Sequence, residues 1–110
     1  MVYPNDADGD GLRRVAAGGS DMSQPMEIDF FIAVPDKKSG EAIAAKIELL
    51  GYKTKLSLDS ESDEWTCYCS RFMVPTYASV VECQKKLNHL SKEFGGYSDG
   101  WGTFGNVESN

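Results

Sequence analysis

At 110 residues the chain has room for one domain that buries roughly two-thirds of its unfolded surface. An apolar fraction of 41% with 25% charged residues is ordinary for a folded domain, and no apolar run approaches the about 20 residues that a membrane-spanning helix needs. The net charge of −6 disfavours direct binding to nucleic acid, whose phosphates would be repelled on average, and favours a basic protein partner.

The first segment, Pro4–Gly19, reads as a short helix. Asn5 or Asp6 can cap it, acids in its first turn suit the positive end of its dipole, and Leu12, Val15 and Ala16 give an apolar stripe. Gly9 and Gly11 weaken that helix by up to about 1 kcal/mol each relative to Ala. Asp6-x-Asp8-x-Asp10-Gly11 matches the opening of a calcium-binding EF-hand loop, but the loop's ninth position is Arg14 and its twelfth, which must be a bidentate acid, is Ala17. A capped, acid-rich helix start is the better reading.

After a polar loop (Ser20–Pro25), Met26–Val34 alternates strictly, with Met26, Ile28, Phe30, Ile32 and Val34 on one face. It is the most apolar element and is expected at the centre of a sheet. Asp36 caps a helix over Lys37–Leu50 that buries Ile43, Ile47 and Leu50, and Gly51 ends it. Tyr52–Leu58 alternates as a second strand. Asp59-Ser60-Glu61-Ser62-Asp63-Glu64 reads as the turn into a third strand, Trp65–Met73, whose buried face the pattern leaves ambiguous. Cys67 and Cys69 share one of its faces, and small thiols favour the interior. A second long helix over Pro75–Phe94 carries the stripe Val80, Cys83, Leu87, Leu90 and Phe94. The tail Gly95–Phe104 packs four glycines with Tyr97, Trp101 and Phe104, aromatics that supply contact area for a closing strand or a binding surface.

This order, βαββα and a short strand after an N-terminal helix, predicts an α+β sandwich of the ferredoxin-like βαββαβ type, helices on one face of an antiparallel sheet. The expected organisation is a single domain over 1–110: an acidic helix and loop at 1–25, a core at 26–104 and a flexible tail at 105–110. Phe31 and Tyr68 could both lie on the uncovered sheet face. That face could stack RNA bases, but it lacks the basic and Gly-aromatic signature of such modules, and partial cover by the N-terminal helix is expected instead.

Acid is concentrated rather than spread. Residues 1–36 carry −5, 37–58 carry +3, 59–64 carry −4, 65–92 carry +3 and 93–110 carry −3. Candidate partner-binding residues are therefore Asp6, Asp8, Asp10, Asp59, Glu61, Asp63, Glu64 and Asp99, with Trp101 as an aromatic anchor. An acidic surface kept for solubility is the plain alternative. Three cysteines without a Cys-x-x-Cys, and the single His89, lack the residues for zinc or thioredoxin-like chemistry, so no catalytic residue, metal or cofactor is expected. The opening Met1–Asp6 has neither a positive region nor an apolar stretch, so no signal peptide is expected and the expected compartment is the cytoplasm.

Pro4-Asn5-Asp6-x-Asp8-Gly9-Asp10-x-Leu12-Arg13, then Ile28-Asp29-Phe30, then Tyr97-x-x-Gly100-Trp101-Gly102-Thr103, resembles the regulator of ribonuclease E activity B family. The resemblance implies a ferredoxin-like fold, no catalysis, and inhibition by binding ribonuclease E at its non-catalytic scaffold region. An acidic chain is a suitable ligand for such an arginine-rich, disordered segment. Two other readings stand beside it. One is a metal-dependent hydrolase using Asp6, Asp8 and Asp10; the other is a small-molecule-binding domain with a pocket near Trp101.

Overall fold

The computed structural model describes residues 3–107, and within them the chain runs α1 (Ala7–Ala17), β1 (Met26–Val34), α2 (Lys37–Glu48), β2 (Lys53–Asp59), β3 (Glu64–Met73), α3 (Tyr77–Lys92) and β4 (Tyr97–Thr103). The strands form one antiparallel sheet in the order β2-β3-β1-β4. That is the ferredoxin-like arrangement, with β1 between β3 and β4 as its alternation predicts. Met26, Ile28, Phe30 and Ile32 are fully buried beneath the helices. Cys69 and Cys67 lie opposite Phe30 and Ile32 and are equally buried, so the thiol face of β3 points inward. Thr66, Tyr68, Ser70 and Phe72 then point to the open face, because neighbours along a strand alternate.

Local chemistry sets the helix boundaries. The Asp36 carboxylate accepts a 2.7 Å bond from the Ser39 N–H, capping α2, and Ile43 and Ile47 enter the core. α2 stops at Glu48, before the expected Leu50; Leu49 and Leu50 are exposed, and Gly51 takes the left-handed conformation at φ +95°. α3 is capped by Thr76, whose hydroxyl accepts from the Ser79 N–H at 3.1 Å, leaving Pro75 just outside the helix. Val80 and Leu87 are buried, with Cys83, Leu90 and Phe94 packed against them. Among the described residues no helix is long and apolar enough to cross a membrane.

Two expectations are corrected. α1 does not cover the open sheet face: Leu12 joins the core of Val80 and Leu87, so all three helices lie on the same side. The reason lies in β4, where Trp101 pairs with Phe30 and therefore projects toward the helices, giving α1 a surface on which to dock. Phe104 supplies no contact area; it is fully exposed just beyond the end of β4. Asn106 instead fastens the segment after β4, its amide accepting from the Asp21 N–H and donating to the Asp21 carbonyl, both at 2.8 Å.

Candidate acidic groove

The turn between β2 and β3 is built by its own acids. Asp59 accepts from the Glu61 N–H through its carboxylate at 2.9 Å and from the Asp63 N–H through its carbonyl at 2.8 Å. Asp63 sits in the left-handed region at φ 59°, which Asp tolerates better than most side chains. This leaves the carboxylates of Glu61, Asp63 and Glu64 exposed. Strand register then brings the turn to Asp99: Trp65 pairs with Val34, and Tyr97 pairs with Ala33. Asp63, Glu64 and Asp99 line a groove of about 300 Å³ together with Val34, Pro35, Trp65 and Tyr97. Among the described residues no base forms an ion pair with Asp59, Glu61, Asp63, Glu64 or Asp99. A groove lined by two aromatic residues and by carboxylates in no ion pair suits a guanidinium or ammonium group, which can stack on a ring and hydrogen-bond to an acid.

The N-terminal acids are placed differently. Asp6 caps α1, accepting from the Gly9 N–H at 2.7 Å, and its second oxygen accepts from the Tyr77 hydroxyl. The Tyr77 bond, then the cap, hold the Asp6 carboxyl below its ordinary range, and the same bond pushes the Tyr77 hydroxyl up. Asp8 accepts from the Trp101 indole N–H at 3.0 Å and from the Gln84 amide at 2.9 Å. Asp10 pairs with Arg13, whose guanidinium also donates to the Tyr3 carbonyl at 2.9 Å. These bonds fasten α1 to α3 and β4. The three carboxylates serve three different partners rather than one centre, and among the described residues no three His, Cys, Asp or Glu side chains are grouped to hold a metal ion.

A second groove, of about 490 Å³, runs between α1 and β4 beside Trp101, where Asp8 and Arg14 supply its charges. On the far side of the core, the Arg71 guanidinium stacks over Tyr52 at 5.2 Å. Burial and then a bond with Cys83 push the Tyr52 hydroxyl up to about 12. The Cys67 and Cys69 sulfurs lie 3.9 Å apart; that contact and burial push the Cys69 thiol up, which keeps it an unreactive core group.

Sequence reasoning missed Trp65 and Pro35 as groove residues, and Tyr77 and Gln84 as the partners of the α1 acids. Trp65 directly follows the acidic run, which was a usable signal. The partners of Asp6 and Asp8 lie 71 and 76 residues away, at no spacing that could reveal them.

A family model for regulators of ribonuclease activity B (RraB) matches residues 5–103. No protein of curated function matches the chain. The family match begins one residue before the cap of α1, ends on the last residue of β4, and takes in the middle of the chain. The chain belongs to the regulator of ribonuclease activity B family.

Proposed function

We propose that this chain is a non-enzymatic regulator that restrains ribonuclease E by binding a basic segment of its scaffold region in the acidic groove. The observation that carries the reading is that Asp63, Glu64 and Asp99 line one groove with Trp65 and Tyr97, and that among the described residues no base forms an ion pair with these acids. Asp59 and Glu61 extend the same field from the turn. Asp10 adds a more distant charge, while Asp6, Asp8 and Trp101 serve the partner only by holding α1 in place.

Exposed ion pairs contribute about 0.2–1 kcal/mol each, so four turn carboxylates together contribute on the order of 2 kcal/mol, about 30-fold in affinity. The test is the joint change Asp59→Asn, Glu61→Gln, Asp63→Asn and Glu64→Gln, which keeps the turn's hydrogen-bond acceptors. Affinity for the arginine-rich scaffold segment is read by fluorescence anisotropy at low and high salt. Weaker binding with a shallower salt dependence is expected. Unchanged affinity and salt slope would exclude the turn from the interface.

A second reading, a small ligand beside Trp101, is favoured by the volume of the α1–β4 groove. It predicts a ligand-dependent change in Trp101 emission, measured in a Trp65→Phe background.

A further inference from the structure

The open face of the sheet is uncovered by any described element, and its side chains form rows set by strand register. One row reads Lys53, Ser70, Asp29 across β2, β3 and β1. The next reads Lys55, Tyr68, Phe31, with the Tyr68 and Phe31 rings edge to face at 5.5 Å. Phe72, opposite Glu27 on the same face, is 70% exposed. Basic residues therefore lie on β2, acids on β1, and the aromatic rings of Tyr68 and Phe72 on β3 between them. Among the described residues none of Lys53, Lys55, Glu27 and Asp29 forms an ion pair.

We infer that this face binds a second copy of the chain, as a two-fold symmetric dimer whose axis runs along β3 between the two sheets. Such a rotation exchanges β2 with β1 and keeps each row in place. Lys53 then meets Asp29 of the second copy, and Asp29 meets its Lys53. Lys55 lies over the ring of Phe31, and Tyr68 and Phe72 meet their own symmetry mates. The face is self-complementary, which a closed two-fold interface requires. The other rotation, with its axis across the strands, stacks lysines on lysines. Aligned sheets pack about 10 Å apart and cross at about 30°, so the contact centres on these rows, and the acidic turns of the two copies lie at the same end, where their repulsion keeps the dimer weak.

Three overlapping strands about 4.8 Å apart, with some seven residues at about 3.3 Å each, cover on the order of 300 Å² in projection. That is the small end of specific interfaces, so a reversible dimer with a dissociation constant of roughly 1–100 μM is expected. Single-stranded RNA, the other candidate for exposed aromatics beside lysines, is disfavoured by Glu27 and Asp29 on the same face and by the net charge of −6.

The full chain is measured by sedimentation velocity from about 1 to 500 μM, a range that brackets that constant, with circular dichroism melting to confirm the fold of each variant. The wild type is expected to shift from monomer to dimer. Lys53→Asp alone should weaken dimerisation at least about tenfold, and Phe72→Asp should abolish it. Combining Lys53→Asp with Asp29→Lys should restore dimerisation, because each reversed charge meets the other across the axis. A wild type monomeric at every concentration overturns the inference. So does a dimer indifferent to both Lys53→Asp and Phe72→Asp. Binding of a labelled single-stranded RNA that Phe72→Asp removes, without self-association, assigns the face to nucleic acid and equally overturns it.

Discussion

Asp8 separates a fastening role from a binding role more sharply than any other acid in the chain. Its carboxylate is half-buried and accepts from Trp101 at 3.0 Å and Gln84 at 2.9 Å, joining α1 to β4 and α3. Asp8→Ala removes a charged acceptor worth about 1.5–3 kcal/mol per bond and leaves two donors to find water. The site borders an open groove, so water offsets part of that loss and about 2–3 kcal/mol remains. Unfolding entropy of about 2.1 cal/mol/K per residue makes 1 kcal/mol worth roughly 4 °C at this length, so a fall in Tm of about 8–13 °C is expected. Asp8→Asn keeps an acceptor oxygen in place and should lose less than half as much. Thermal unfolding is followed by far-ultraviolet circular dichroism. Trp101 emission in a Trp65→Phe background should shift to the red in Asp8→Ala, as the indole loses its partner. A fall of under about 2 °C in Asp8→Ala, or equal falls in Ala and Asn, would refute the reasoning.

Other consequences follow from particular contacts. Gly9→Ala puts a Cβ 1.9 Å from the Pro4 carbonyl oxygen, a backbone atom that cannot rotate away. Despite a better helix propensity it should therefore destabilise by about 1–3 kcal/mol, seen as a lower urea midpoint. Asp36→Ala removes the cap of α2 and should lower the urea midpoint at neutral pH. Because the Ser39 bonds hold the folded Asp36 carboxyl below the usual carboxylate range, its contribution is present above that range and is lost as pH falls through the lower folded value. The mutant's deficit should accordingly shrink below about pH 4 in chemical denaturation. Tyr52 behaves in the opposite sense: a hydroxyl raised from 10.0 to about 12 stabilises the fold below pH 10 and loses that contribution between about pH 10 and 12. Urea midpoints across that window should fall more steeply in the wild type than in Tyr52→Phe.

The elements and their order were legible in the chain, because they depend on neighbours along it. Alternation in Met26–Val34 marked the central strand, Asp36 marked the cap of α2, and the acid run marked the turn between β2 and β3. The resemblance to the family was legible as well, and the match over residues 5–103 shows it. Packing and register sort the acids by their surroundings. Asp63, Glu64 and Asp99 look alike in sequence to Asp6 and Asp8, yet register leaves the first three along a groove with Trp65 and Tyr97, in no ion pair among the described residues, while packing gives Asp6 and Asp8 to Tyr77, Gln84 and Trp101. Tertiary structure also decided the side on which α1 docks. A carboxylate's role depends on which donors surround it in space, and donors more than 70 residues away are chosen by sheet register and helix packing, which no local pattern encodes.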